Sequence, residues 1–110
     1  MAAATGKRPM AAADKLGGYA KGFGALDADM IAANVTADFR LVEKGGKIIT
    51  KKELAGYIAQ LTQHGSRMDI TNVMVDGNKA WCKWRLGATI GAGLITFGPD
   101  GVSEEQLFYS

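Results

Sequence analysis

The second half of the chain narrows the choice of fold most. From Met68 onward the sequence is strand and turn: Met68 to Val75, the tight-turn pair Asp76-Gly77, Lys79 to Leu86, a glycine-rich stretch from Gly87 to Gly93, Leu94 to Phe97, the turn Gly98-Pro99-Asp100-Gly101, and Val102 to Tyr109. Asp-Gly and Gly-Pro-Asp-Gly supply the positive-φ and fixed-φ positions that short hairpin connections need, so these four strands form a meander. Such a sheet has one face to bury. Ala80, Cys82, Trp84 and Leu86 alternate with Trp81, Lys83 and Arg85, so one face is core and the other carries a tryptophan among cations. Elements upstream must cover the core face.

Those elements read mostly as helices. Pro9 suits a first helical turn, and Leu16, Tyr19, Ala20 and Phe23 follow at i, i+3, i+4 and i+7. Gly17, Gly18, Gly22 and Gly24 each weaken that helix by up to about 1 kcal/mol relative to alanine. Either other elements approach closely there or the helix depends on tertiary packing. Asp27 is a good N-cap, with Leu26 placed to staple onto Ile31, for a second helix from Ala28 to Val35 that Thr36-Ala37-Asp38 breaks. A strand, FRLVEK, follows, and Gly45-Gly46 turns the chain. Thr50-Lys51-Lys52-Glu53 is a capping box, and Leu54, Tyr57, Ile58 and Leu61 place a third helix from Lys51 to Gln63, stopped by His64-Gly65. The order α-α-β-α-β-β-β-β implies an α+β fold, with helices packed on one face of a curled antiparallel or mixed sheet.

Composition removes several classes of function. At 110 residues the chain forms one domain, read as 10–110 behind a flexible arm over 1–9. Thirteen basic residues balance eleven acidic ones, and the longest basic cluster is Lys51-Lys52, so there is no electrostatic footprint for nucleic acid. No apolar run resembles a secretory signal or the roughly 20 residues of a membrane span. A single cysteine, Cys82, gives no disulfide framework and fits a reducing, cytoplasmic setting. With one histidine and scattered carboxylates, no metal site and no cofactor are expected.

Two residues at the ends of the stretch from Tyr19 to Glu43 are candidates for chemistry. Glu43 shares a strand face with Phe39 and Leu41, which sends it inward, where apolar surroundings raise a carboxylate toward the working range of a general base. Paired with Lys44 or Lys47 in solvent, it would instead be an ordinary strand-end glutamate. Tyr19 can donate a hydrogen bond to a developing oxyanion, or fill core volume and bond a neighbouring carbonyl. Phe39, Leu41, Met68, Trp84 and Phe97 are the candidate apolar lining of a ligand site, equally suited to plain core. Trp81 fits a dimer contact through the outer sheet face. His64 reads as a helix-end residue, Cys82 as a buried inert thiol, and Gly91-Ala92-Gly93 precedes a strand instead of opening a helix, so it is no nucleotide loop.

The runs YAKGFGALDADMIAANVTADFRLVEKGG, TKKELAGYIAQL and LITFGPDGVSEEQLFY resemble the NTF2-like superfamily, especially its SnoaL-like members, over residues 10 to 110. The resemblance implies a cone: a bent sheet wrapped around three helices, with an apolar cavity inside and often a dimer through the sheet's outer face. Set against ketosteroid isomerases of this superfamily, Tyr19 falls on the oxyanion-hole tyrosine and Glu43 on the general base. The third role, an acid near Gly93 or Leu94, is unfilled, since no Asp or Glu occurs from Arg85 to Pro99. The expectation is therefore a homodimeric protein binding a small apolar or mixed-polarity molecule. Its alternative is an isomerase- or cyclase-type enzyme moving a proton on a carbonyl substrate, with Glu43 as base and Tyr19 as hydrogen-bond donor.

Overall fold

The computed structural model describes residues 15–63 and 68–109. The expected arm over 1–9, Pro9 and the helix stop at His64 lie outside the described residues. The elements are α1 (15–25), α2 (Ala28–Ala33), β1 (Val35–Val42), β2 (Ile48–Thr50), a 3₁₀ turn (Lys51–Glu53) leading into α3 (Leu54–Gln63), then β3 (Met68–Asp76), β4 (Lys79–Leu86), β5 (Thr89–Phe97) and β6 (Val102–Phe108). The strands form one six-stranded sheet in the order β2-β1-β6-β5-β4-β3. Every neighbouring pair is antiparallel except β1 and β6, which run parallel. Among the described residues no helix is long and apolar enough to cross a membrane.

Local chemistry accounts for the boundaries. Asp27 accepts from the Met30 N–H at 3.1 Å, as an N-cap should. The helix then stops two residues sooner than its apolar spacing predicts. Asn34 donates its side-chain amide to the Met30 carbonyl at 2.7 Å, and the β-branched Val35 and Thr36 open β1 instead. At α3 the Glu53 carboxylate accepts from the Thr50 N–H at 3.0 Å and from its hydroxyl at 3.1 Å, which fixes the turn ahead of the helix. Two of the four glycines of α1 mark close approach: a Cβ on Gly18 would meet the Asn34 amide at 2.5 Å, and one on Gly22 would meet Ile31 at 2.6 Å, whereas Gly17 and Gly24 have room for one.

Two strands go beyond the sequence reading. Ile48–Thr50 pairs with β1 as a short hairpin, too brief for its period to register in the sequence. The glycine-rich segment is also strand: β5 starts at Thr89, five residues before Leu94. Gly77 and Gly87, at φ of +62° each, open the two-residue turns on either side of β4.

The helices cover the inner face of the sheet. Tyr19 and Phe23 from α1, Ile31 from α2, and Leu54, Tyr57, Ile58 and Leu61 from α3 pack against Phe39, Leu41, Met68, Trp84, Ile95 and Leu107 in one core.

Candidate functional site

Strand register builds the site. Residues paired directly across a sheet share a face, and one inner row runs Ala80, Ile95, Glu105, Leu41, Ile49 across β4, β5, β6, β1 and β2. Four of the five are apolar and buried; the fifth is a glutamate with no exposed surface at all. The Tyr19 hydroxyl donates to Glu105 Oε1 at 2.5 Å, and Cys82 Sγ lies 3.9 Å from Oε2. Tyr19 is itself clamped edge-on by Phe23 and Phe39, with ring centroids 5.0 and 5.9 Å away.

The glycines of β5 make room for this arrangement. A Cβ on Gly93 would stand 2.5 Å from Glu105 Oε2 and 3.1 Å from Cys82 Sγ, so the carboxyl occupies the space that a side chain at 93 would take. A Cβ on Gly91 would meet the Trp84 ring at 2.3 Å, and Trp84 Nε1 donates to the Ala92 carbonyl at 2.8 Å. The inner face of β5 is thus a trench, filled by side chains leaning in from β4 and β6. The carboxyl beside Gly93 thus comes from Glu105 on the neighbouring strand, since β5 carries no acid of its own.

Burial governs the electrostatics. Desolvation pushes the Glu105 carboxyl up to about 7, against the opposing pull of its hydrogen bonds from Tyr19 and Cys82. Burial, then the charge of Glu105, holds the Tyr19 phenol well above its ordinary value. The same two causes push the Cys82 thiol up to about 12, which leaves it protonated and a poor nucleophile.

Glu43 takes a different place from the one expected. It stands just past the end of β1, partly buried, and its neighbour is Tyr57 of α3. Burial, then the charge of the nearby Glu43, raises the Tyr57 phenol well above its usual range, with smaller contributions from Glu105 and Tyr109. Tyr19 therefore pairs with Glu105, while Glu43 lies in the electrostatic neighbourhood of Tyr57. The five candidate lining residues, Phe39, Leu41, Met68, Trp84 and Phe97, are all buried in the core. Trp84 meets Tyr109 edge-on at 5.3 Å, and Lys44 Nζ sits 5.5 Å from the Tyr109 ring centroid.

The opposite face of the sheet carries another row: Met74, Trp81, Leu94, Gln106, Val42, Ile48, one residue from each strand. Met74 is 69% exposed and Trp81 46%, with Phe108 stacked 5.9 Å from the Trp81 ring. A depression of about 540 Å³ lies here, bordered by Val73, Met74, Trp81 and Lys83. A second cleft, of about 640 Å³, separates α1 at Gly17, Lys21 and Gly24 from Asp69, Thr71 and Arg85. A third, about 360 Å³, lies beside α3 at Lys47, Lys52 and Tyr57. None of the three is lined by Tyr19 or Glu105. Among the described residues no three His, Cys, Asp or Glu side chains come together to hold a metal ion.

Sequence reasoning missed Glu105, Tyr57 and Tyr109 as site residues. A signal for the first existed: counting back by two from Leu107 puts Glu105 on the core face of β6. Phe108 on the other face blurred that period. Tyr57 was visible only as part of the helix's apolar stripe, since Glu43, the charge beside it, comes from just past the end of β1.

Solved structures share the fold over most of the chain. A cystatin-fold protein from Novosphingobium aromaticivorans superposes with a TM-score of 0.73 at 13% identity, covering 86% of this chain and 95% of that one. An NTF2-like protein from Cytophaga hutchinsonii gives 0.76 at 7% identity, covering 90% and 89%. A candidate polyketide cyclase from Sinorhizobium meliloti gives 0.74 at 13% identity, covering 86% and 94%. At these identities the likeness establishes the cystatin-like, NTF2-like fold. No curated protein matches the chain at a significant level. The family profile of the SnoaL-like domain matches residues 17–105, from the glycines of α1 to the buried glutamate of β6, and the chain belongs to that family.

Proposed function

We propose that this domain binds a small molecule of mixed polarity inside the cone, against the Tyr19–Glu105 pair. The observation that carries the reading is a fully enclosed carboxyl on an otherwise apolar row, bonded by a phenol at 2.5 Å. An apolar side chain at 105 would serve packing better, because burying a carboxyl is unfavourable even when it is hydrogen-bonded. Glu105 is covered from every side, so a ligand engages it only after side chains move, and Tyr19 and Cys82 satisfy the carboxyl until then.

A second reading is favoured by a carboxyl brought to about 7, near the optimum for proton transfer at neutral pH. In it, Glu105 removes a proton α to a carbonyl and the electron pair moves onto the carbonyl oxygen. The Tyr19 hydroxyl, released from Glu105, donates to that oxygen, and protonated Glu105 returns the proton to carbon. Glu43, the base expected from the sequence, stands with Tyr57 outside this pair.

One experiment addresses both readings. Enolisable ketones are incubated in D₂O with wild type, Glu105→Gln and Glu43→Gln, following protein resonance shifts and deuterium incorporation by NMR. Saturable binding that weakens tenfold or more in Glu105→Gln supports the binding site; binding indifferent to that change overturns it. Deuterium incorporation by wild type and Glu43→Gln, lost in Glu105→Gln, supports proton transfer. Equal incorporation in all three sinks it.

We further propose that a second copy of the chain covers the outer row through Trp81, Met74, Leu94 and Phe108. This row is apolar across most of the sheet's width. The row beside it, with Arg40 and Glu104 joined at 2.8 Å, is polar and already satisfied.

A further inference from the structure

The rim of the cone around Glu43 has a chemistry unlike that of the interior. Because β1 and β6 run parallel, with Val42 opposite Gln106, the residues just past their ends emerge at the same edge of the sheet: Glu43 and Lys44 from one strand, Tyr109 from the other. Tyr57 joins them from α3, within electrostatic reach of both Glu43 and Tyr109. Trp84 closes the group from below, edge-on to Tyr109 at 5.3 Å and 78°.

Two observations define what this rim accepts. First, Glu43 is partly buried, and among the described residues no Lys or Arg nitrogen stands at ion-pair distance from it, unlike Glu104, which Arg40 meets on the outer face. Second, the face of Tyr109 already holds a cation, since Lys44 Nζ rests 5.5 Å from its centroid, within the range of a cation–π contact. Lys44 is exposed and adjacent in sequence to Glu43, yet its ammonium sits on the ring. A primary ammonium is strongly hydrated and gives up little water to an aromatic face, whereas an alkylated ammonium is weakly hydrated and suits both an aromatic face and a nearby carboxylate.

We propose that Glu43, Tyr57, Trp84 and Tyr109 form a recognition site for an organic ammonium group, and that Lys44 is a tethered cation which such a ligand displaces from the Tyr109 ring. This builds on the reading of the domain as a small-molecule binder and assigns the positively charged end of the ligand to the rim. Glu43 supplies the counter-charge, with Tyr57 beside it.

The test compares choline with its uncharged isostere 3,3-dimethylbutan-1-ol. In a Trp81→Phe background, Trp84 is the sole tryptophan and its fluorescence reports on Tyr109 beside it; amide shifts of residues 43–46 and 109 give a second readout. Choline binds saturably and at least tenfold more tightly than the alcohol. Glu43→Gln weakens choline about tenfold and leaves the alcohol unchanged, and Lys44→Met tightens choline about threefold by removing the competitor. Choline no tighter than the alcohol, choline indifferent to Glu43→Gln, or no binding of either overturns the proposal. The interior reading fails separately: if choline follows the stated pattern while Glu105→Gln leaves ketone binding unchanged, the rim site stands and the interior site falls.

Discussion

Gly93→Ala gives a quantitative handle on the trench in β5. The added methyl would stand 2.5 Å from Glu105 Oε2 and 3.1 Å from Cys82 Sγ, both tighter than ordinary contact. The carboxyl is the free end of a side chain, but Tyr19 holds its other oxygen at 2.5 Å, so it gives way only by lengthening or breaking that bond. Overpacking of this kind costs about 1–3 kcal/mol, and loss of a hydrogen bond to a buried group falls in the same range. In a Glu105→Ala background the carboxyl is gone, and the methyl enters space it vacated. The penalty of Gly93→Ala then shrinks to that of the Cys82 contact, and the double-mutant cycle shows a coupling of about 1–2 kcal/mol. Urea unfolding followed by tryptophan fluorescence measures all four corners. Additive penalties would refute the claim that the glycine exists to seat the glutamate.

Stability should also depend on pH through Glu105. Its folded value is raised from 4.5 to about 7, so the native state holds a proton that the unfolded chain releases between those values. The contribution is fully present below 4.5 and is lost as pH rises through 7, a fall of about 3 kcal/mol. Subtracting the unfolding free energies of Glu105→Gln from those of wild type isolates it; a difference independent of pH between 4.5 and 7.5 would contradict the assignment. On the outer face, Trp81→Glu sets a charge in the middle of the apolar row, and sedimentation should show monomer where wild type sediments as dimer. A wild-type monomer removes the proposed interface.

The residues explain what the sequence disclosed and what it hid. The order of elements was legible because its signals are local: Asp27 capping α2, Thr50 and Glu53 closing the turn before α3, and Gly77 setting the β3–β4 hairpin. Phe39, Leu41, Met68, Trp84 and Phe97 reached the core because their strand periods are plain. Tyr19 was recognisable as a buried phenol, but its partner was not. The Tyr19–Glu105 bond spans 86 positions and depends on the parallel pairing of β1 with β6, which no local pattern announces. The glycines of β5 misled for a related reason. Read alone they suggest a loop, while in the sheet they are strand residues whose side-chain space belongs to Trp84 and Glu105. Glu43 was placed inward by its period with Phe39 and Leu41, but β1 ends at Val42, so it stands partly buried at the end of the sheet near Tyr57, and Glu105 meets Tyr19 in its stead.

Everything proposed for the interior depends on Glu105 being a sequestered carboxyl, held by Tyr19 and titrating near neutral pH. Carbon-detected NMR of protein labelled at glutamate side-chain carboxyls tests it most directly, with the Glu105 resonance assigned by its absence in Glu105→Gln. A Glu105 midpoint near 7 in wild type is expected, moving higher in Tyr19→Phe because the lost hydrogen bond had favoured the charged form. A Glu105 midpoint in the ordinary carboxylate range, unmoved by Tyr19→Phe, would contradict it.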